Sequence, residues 1–258
     1  MTREPQPYQP DRSAKAKLTR RLTQWRAAAP AWIAPGTPAL SITFDDFPAS
    51  AVDQAAPILE RAGVQATYYA CGRFVDAPTP FGHGYTQDHL ANLKEAGHEI
   101  ACHTFSHLDC AQTTPAVVEG ECVHNSQSLA ALGVETPSNF AFPYGETTFA
   151  TKRLLAPRFV TGRGIMPGVN VGRIDRLQLR SAPLFGQTAD RACAKWLTLA
   201  RQSGGWLTVF THDVAANPSP WGVTPDALAR FLDEALRQGF HVAPVQQIAQ
   251  ARLGMLPP

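Results

Sequence analysis

The residues of this chain whose types and spacing most clearly indicate a chemical role are two histidines, His103 and His107, in the segment HTFSH. Two imidazoles at this spacing can bind one metal ion when both lie on the same turn of the chain. Asp45 and Asp46 are adjacent, and two ionised carboxylates so close repel each other unless a cation compensates. Side chains alternate in direction along extended backbone, so Asp46 can supply an oxygen ligand while Asp45 points elsewhere and acts as a base.

Each of these signals also has an ordinary structural interpretation. A His-x-x-x-His pair is more often a packing or surface feature, and an Asp-Asp pair is often a solvated turn. Together they favour a metal site with open coordination positions, which is the arrangement of a catalytic centre.

The elements that must position these residues form an alternating pattern from Ala39 onward. Short apolar runs of strand length alternate with amphipathic segments of helix length, which predicts repeated βα units around a parallel sheet or barrel. The predicted strands are LSITF, ATYYA, EIAC, NFAF, RFVT, LQLRSAPL, WLTVF and FHVAP. The predicted helices lie near Ala51–Ala62, Thr86–Ala96, Thr114–Leu132, Thr148–Leu155, Thr188–Gln202 and Thr224–Gln238. The glycine-rich stretch Gly162–Gly172 has no clear periodicity and predicts a loop.

Polar residues directly follow four of the predicted strands. They are Asp45 and Asp46 after LSITF, His103 and His107 after EIAC, Pro143 and Tyr144 after NFAF, and His212 after WLTVF. Because the C-terminal ends of parallel strands form one rim, we expect these four segments to converge on a single site.

From about Ala39 to Ala249 the chain resembles the polysaccharide deacetylases of the NodB-homology type, carbohydrate esterase family four. ITFDD resembles the first motif of that family, GHEIACHTFSH the second, AFPYG the third and WLTVFTHD the last. ATYYACGRF is similar to the second-strand segment, and FHVAPVQQI to the closing strand and helix. The resemblance implies an α/β fold, an irregular (β/α) barrel with seven or eight strands.

The resemblance also implies a role for each matching position. One divalent metal ion, zinc first and cobalt, nickel, manganese or iron as alternatives, would be bound by Asp46, His103 and His107. The remaining roles would be Asp45 as general base, His212 as general acid, the backbone N–H of Tyr144 in an oxyanion hole, and Phe210 and Pro143 in the substrate pocket.

Two positions depart from the family pattern. Phe47 stands where many members have glycine, and Ala141 stands where the third motif usually has the arginine that orients the catalytic aspartate. The segment FAFPYG is similar to a subgroup with FAYPYG-like third motifs, which also lacks that arginine. Arg180 is our candidate for the missing charge, since a guanidinium at a strand end could hold Asp45 through two hydrogen bonds. The usual fourth motif is not clear, and Asp175 is a weak candidate for the partner of His212.

The implied activity is hydrolysis of N-acetyl groups from an N-acetylhexosamine-containing polysaccharide or its precursor, such as an exopolysaccharide intermediate, with release of acetate. O-acetyl ester hydrolysis and allantoinase-like cleavage of small nitrogen compounds are alternatives that use the same residues. An inactive glycan-binding pseudoenzyme is a further alternative. A two-histidine, one-carboxylate iron oxygenase is disfavoured, because those enzymes use antiparallel β folds whereas this chain alternates strands with helices.

Outside the catalytic domain, expected over residues 38–258, residues 1–37 form a basic extension with seven basic and two acidic residues. Within it, Leu18, Leu22 and Trp25 form an apolar stripe on a helix predicted over Ser13–Ala29. We expect this stripe to pack against the barrel or a second subunit in a homodimer, with a membrane-surface role as the alternative.

Bulk composition limits the partners. A net charge of +2 gives no reason to expect nucleic acid as a partner, and no apolar run is long enough for a membrane span. Five cysteines without paired short spacing favour free thiols, and the start of the chain lacks the apolar stretch of a signal peptide. We therefore expect a cytoplasmic protein.

Overall fold

The structure is a computed structural model and describes residues 13–255. The strands are β1 (Pro30–Ile33), β2 (Ala39–Asp45), β3 (Thr67–Ala70), β4 (Pro78–Thr79), β5 (Gly82–His83), β6 (Glu99–Cys102), β7 (Asn139–Ala141), β8 (Thr161–Arg163), β9 (Gly172–Asp175), β10 (Ala182–Pro183), β11 (Trp206–Thr211), β12 (His241–Val242) and β13 (Leu253–Met255). The helices are α1 (Ala14–Trp25), α2 (Ala49–Arg61), α3 (Gln87–Glu95), α4 (Pro115–Ala131), α5 (Phe149–Leu155), α6 (Ala189–Ser203), α7 (Pro225–Arg237) and α8 (Val245–Arg252). Short 3-10 helices cover Gly72–Phe74 and Pro143–Gly145.

The main sheet has eight strands, which pair in parallel in the order β10-β11-β2-β3-β6-β7-β8, with β12 also paired to β2. All residues of β2 and β11 are buried, as expected for central parallel strands that are covered on both faces. Their register places Val209 beside Ile42 and Thr211 beside Phe44. The C-terminal ends of these strands therefore lie at the same edge.

The sheet curls toward itself at its two ends. Leu179, a few residues before β10, forms a parallel bridge to Arg163 of β8. The Leu179 N–H donates to Gly162 O over 2.8 Å, and the Gly164 N–H donates to Leu179 O over 3.0 Å. The predicted α/β fold with a curled parallel sheet is confirmed.

Helix α7 shows how the outer layer covers this sheet. Pro225 occupies its first turn, and the Thr224 side chain accepts from the Ala227 N–H, so both start signals in the sequence are used. Its buried face carries Leu228, Phe231 and Leu232. Each side chain of this size contributes about 1.5–3 kcal/mol when fully buried.

Some predicted strands differ in position or length from the observed strands. The predicted strand RFVT lies two to three residues too early, because β8 covers Thr161–Arg163 and thus includes the start of the predicted loop Gly162–Gly172. That loop also ends in β9, which pairs with β1 in a small antiparallel sheet. Neither strand was predicted, because prolines surround β1 and glycines precede β9. Of LQLRSAPL, only Ala182–Pro183 is a strand.

The N-terminal helix is shorter than predicted and is attached by polar contacts. Leu22 is 49% exposed and Trp25 83% exposed, so the prediction that they pack against the barrel is wrong, while the side chain of Leu18 lies outside the described residues. The buried Lys152 Nζ donates instead to Thr23 O (2.7 Å) and Arg26 O (3.0 Å). A cation at these carbonyls satisfies acceptors that a helix end leaves without partners.

Two further sequence expectations bear on the environment of the chain. The five cysteines are free and buried. Within residues 13–255, no helix combines the length and apolar character that a membrane crossing requires.

Candidate metal centre

Three side chains converge at the C-terminal rim of the sheet. One ligand atom each of Asp46, His103 and His107 lie within 4.8 Å of one another. His107 Nε2 is 2.8 Å from Asp46 Oδ2, and His103 Nε2 is 3.7 Å from Asp46 Oδ1. The chain thus brings two imidazole nitrogens and one carboxylate together, a donor set that suits zinc and other divalent transition metals.

Unusual backbone geometry aims these residues at one point. Asp46 follows β2 and has a φ of 46°, and His107 has a φ of 58°. Thr104, between the two histidines, and Tyr144 also have positive φ values, of 63° and 58°. Such conformations cost non-glycine residues about 1–3 kcal/mol each and persist where the surroundings impose them. Four of the five described non-glycine residues with positive φ lie at this site, so backbone strain is concentrated here.

The protonation of His103 suits metal binding. Its Nδ1 lies 2.8 Å from Ala141 O, and since a carbonyl only accepts, Nδ1 carries the proton and Nε2 presents its lone pair to Asp46. Burial lowers the pKa of His103 to about 4, so the ring is neutral near pH 7. Burial acts to raise the pKa of Asp46, but His107 and His103 outweigh this effect and hold it below its ordinary value. The Asp46 carboxylate and Nε2 of His103 are therefore in the deprotonated forms that a cation requires.

Cys71 adds a contact beside these ligands that the sequence had not indicated. Its sulfur lies 3.4 Å from Asp46 Oδ1 and 3.1 Å from His103 O. Burial raises the pKa of this thiol, so the sulfur carries a proton and donates to these oxygens.

The neighbouring carboxylate, Asp45, has a different partner. Both its oxygens accept from Arg163 Nη2, with Oδ1 at 2.5 Å, and Arg163 Nη1 donates to Gly164 O. The guanidinium carbon lies 5.0 Å from the ring centroids of both Tyr69 and Phe210, within cation–π range.

The prediction that Arg180 holds Asp45 is therefore wrong. Arg180 is exposed, and its Nη1 donates to Pro167 O over 3.3 Å. Arg163 is the functional residue that the sequence analysis missed. The signal was its place at the end of a strand, and it was lost because the strand was predicted too early.

His212 lies on the same rim, at the end of β11. Its Nδ1 is 3.1 Å from Trp221 O, so Nδ1 carries a proton and Nε2 is left for a substrate. Phe81 packs against its ring with 4.5 Å between centroids. The prediction that Asp175 is the partner of His212 is wrong, because Asp175 Oδ2 accepts from Lys152 Nζ at 2.8 Å. The charge of His212 contributes to the lowered pKa of Asp46, which reflects their proximity.

The third motif lies beside the metal ligands. Pro143 is buried, and the Tyr144 ring packs edge-on against His107 with 4.3 Å between centroids. Arg20 of α1 donates to Glu146 Oε1 over 2.5 Å, so the N-terminal helix contacts this loop. Phe210 is 7% exposed and meets Phe185 edge-on.

The two departures from the family pattern have structural explanations. Phe47 is fully buried and stacks on Tyr85 with 4.2 Å between centroids, so it belongs to the core. Ala141 is too small to reach Asp45, and its carbonyl orients His103.

Residues 33–157 match the family model described as polysaccharide deacetylase. The matched segment covers slightly less than half of the chain. It includes Asp45, Asp46 and both histidines of HTFSH, whereas Arg163 and His212 lie beyond it.

Curated relatives are similar over less than half of this chain. A chitooligosaccharide deacetylase of Bradyrhizobium sp. (strain ANU 289) is 30% identical over 112 residues, which are 43% of this chain and 48% of that protein. A chitin deacetylase of Pestalotiopsis sp is 29% identical over 42% of this chain and 34% of its own length. The matched segment thus spans about half or less of these relatives.

Solved structures extend the similarity in fold. A family 4 carbohydrate esterase from Streptomyces lividans, in complex with acetate, superposes with a TM-score of 0.58 at 19% identity, over 85% of this chain and 98% of that one. A family 4 pseudoenzyme from Bacillus anthracis superposes with a TM-score of 0.56 at 14% identity, over 83% and 66%. At these identities the likeness concerns the fold alone.

Proposed function

We propose that this chain is a metal-dependent deacetylase, which hydrolyses N-acetyl groups of an N-acetylhexosamine-containing polysaccharide or its precursor and releases acetate. The observation that carries the proposal is the position of the cluster Asp46, His103 and His107 directly beside the Asp45–Arg163 pair. The match to the polysaccharide deacetylase family model and the names of the similar proteins support the same reaction.

Asp46, His103 and His107 would hold the metal ion, with zinc as the first expectation and cobalt, nickel, manganese or iron as alternatives. A bound divalent cation supplies Lewis-acid polarisation of the acetamide carbonyl and makes water more acidic. The orientation of His103 by Ala141 O favours binding through Nε2.

Asp45 is the proposed general base, which takes a proton from the water that attacks the acetamide carbon. Arg163 engages both carboxylate oxygens and fixes their direction, and each oxygen keeps a further lone pair for the incoming proton. Tyr144 would donate its backbone N–H to the oxygen that becomes negative during attack.

His212 is the proposed general acid. An amine leaves poorly unless it is protonated, so collapse of the tetrahedral intermediate needs a donor at the nitrogen. With Nδ1 engaged by Trp221 O, the Nε2 of His212 can carry that proton. One water is consumed, the carbon–nitrogen bond breaks, and acetate and a free amino sugar result.

Aromatic side chains around His212 support a sugar as the substrate. Trp221 is 51% exposed, and the Phe81 ring lies near both Trp221 and His212. Broad apolar faces with a polar group at their edge suit a pyranose ring, which is itself apolar on its faces and polar at its rim. Phe210 and Pro143 would line the pocket for the acetyl methyl group.

Elemental analysis of protein purified without a chelating column, followed by an assay of acetate release, tests this function. We expect bound divalent metal and acetate release from N-acetylglucosamine oligomers. Release only from acetylated xylan would favour an O-acetyl esterase, and cleavage of allantoin would favour the alternative on small nitrogen compounds. Glycan binding without turnover by metal-loaded protein would identify a pseudoenzyme.

The location and assembly of the protein follow as lesser proposals. A cytoplasmic enzyme would act on a precursor or on an exopolysaccharide intermediate before export. A homodimer through α1 would cover the exposed Leu22 and Trp25, and light scattering of the intact chain tests it.

A further inference from the structure

Helix α4 lies outside the candidate metal centre but contacts the loop between the two histidine ligands and the segment after β3 that carries Cys71. Two polar residues make these contacts, Glu121 and Asn125, one helical turn apart on the same face. Neither of them is one of the proposed ligands.

Glu121 binds the loop that connects the two histidines. Its Oε2 accepts from the Phe105 N–H at 3.1 Å, from the Ser106 N–H at 2.8 Å and from Ser106 Oγ at 2.8 Å. Three donors from two successive residues on one charged oxygen fix both the position and the orientation of this loop. Hydrogen bonds to an ionised acceptor are about twice as strong as neutral ones.

The loop needs such external support because its own backbone is strained. Thr104 and His107 both have left-handed φ values, of 63° and 58°. Thr104 Oγ1 accepts from the Leu108 N–H at 3.1 Å, and the Phe105 ring stacks on His124 of α4 at 3.7 Å between centroids. The Glu121 contacts lie between the two strained residues, where they can hold both histidines in register.

Asn125 binds the segment that contacts the third ligand. Its Oδ1 accepts from the Gly72 N–H at 2.7 Å, and its Nδ2 donates to Ala70 O at 2.9 Å. The residue between these two contacts is Cys71, whose thiol donates toward Asp46 Oδ1. Asn125 is fully buried, so this contact is shielded from water.

We propose that Glu121 is a positioning residue of the metal centre, and that Asn125 supports the same centre through Cys71. The proposal rests on the metal binding proposed above. Helix α4 thereby holds all three ligands from outside: His103 and His107 through their shared loop, and Asp46 through the end of β3.

Zinc affinity of the purified full chain, measured by competition with a chromophoric chelator, tests the role of Glu121. We expect Glu121→Ala to weaken zinc binding roughly tenfold to hundredfold, the usual range for loss of an outer partner of a ligand. Glu121→Gln keeps a neutral acceptor and should recover most of this affinity. Glu119→Ala removes the same charge from another side of the same helix and should bind zinc as the unmodified chain does.

The visible absorption of the cobalt-substituted protein provides a readout that a merely less stable protein would not change. We expect a shifted spectrum for Glu121→Ala, and unmodified spectra for Glu121→Gln and Glu119→Ala. If Glu121→Ala does not fold, Glu121→Gln should still weaken zinc binding a few-fold, because its hydrogen bonds lack the charge.

The outcomes separate this inference from the proposed function. Unchanged affinity and spectrum in folded Glu121→Ala, while the unmodified chain binds zinc, would overturn the positioning role alone. Equal weakening by Glu119→Ala would also overturn it, because the effect would then be one of charge. Failure of the unmodified chain to bind zinc or cobalt would overturn the metal centre and this inference together.

Discussion

Asp45 and Asp46 are neighbours in sequence, yet their surroundings stabilise negative charge in different ways. Asp46 faces two imidazoles whose charge depends on protonation, and a cation can take the place of those protons. Asp45 faces Arg163, whose guanidinium stays charged at any ordinary pH. A carboxylate with exchangeable partners is suited to bind a metal, and one with a fixed partner is suited to keep its position while it gains and loses a proton.

The largest expected effect is on the Asp46 side. His103→Ala or His107→Ala should abolish both metal content and turnover, because two protein ligands hold a divalent ion far less well than three. Elemental analysis and acetate release measure the two quantities. Full metal content with full activity in either variant would contradict the metal site, and with it the different role given to Asp46.

On the Asp45 side, Asp45→Asn should keep the metal and lower kcat about 10²–10⁴-fold, since the amide preserves shape but cannot accept the proton. Asp46→Asn should instead lose metal. The same two assays, applied to both variants, test the comparison directly. The reverse result, with metal lost from Asp45→Asn and kept by Asp46→Asn, would mean that the two roles are exchanged.

A smaller effect is expected for the partner of Asp45. Arg163→Ala should lower kcat about tenfold to hundredfold with little change in metal content, because a hydrogen bond to a charged group contributes about 1.5–3 kcal/mol. Arg163→Lys should rescue poorly, because an ammonium lacks the planar set of donors. Arg180→Ala is the matched control and should leave steady-state kinetics unchanged. Loss of metal from folded Arg163→Ala would show that the Asp45–Arg163 pair and the metal ligands do not act independently.

The smallest expected effect on chemistry comes from the anchor of the N-terminal helix. Lys152→Met leaves Asp175 and the carbonyls of Thr23 and Arg26 without their buried cation. Breaking such a buried pair costs about 3–5 kcal/mol of unfolding free energy, while metal content and kcat of folded protein should stay the same.

Urea unfolding measures the stability of the Lys152→Met variant. Lys195→Met, at an exposed position, is the control and should change stability by less than about 0.5 kcal/mol. An unchanged midpoint for Lys152→Met would show that the α1 anchor contributes nothing to stability.

The features that could be predicted from sequence are those encoded by nearby residues. The Thr-Pro start of α7 and the His-x-x-x-His spacing are each encoded by neighbouring residues. The start of the helix and the meeting of the two histidines could therefore be predicted from the sequence. Arg163 is different, because β8 is three residues long and lies two to three residues after the predicted strand RFVT. Its role depends on how the sheet curls, which no short window of sequence contains.

The N-terminal helix shows the same limit in another form. Its apolar stripe predicted packing against the barrel or a second subunit, but Leu22 and Trp25 are exposed on the barrel, and the described contacts of this segment are made by Arg20 and main-chain carbonyls. Apolar periodicity predicts which face of a helix favours burial. A contact between the end of the helix and a buried lysine far away in the chain produces no periodic pattern in the sequence.

The place of β2 in the sheet has a consequence for how the protein is made. β2 carries Asp45 and Asp46, yet one of its neighbours is β11, which follows much later in the chain and ends at Thr211. Parallel strands so far apart in the chain pair slowly, because a long loop must close first. On the ribosome, the two aspartates therefore emerge long before the strand that completes their surroundings. A nascent chain that stops before residue 206 has the HTFSH segment but neither β11 nor His212.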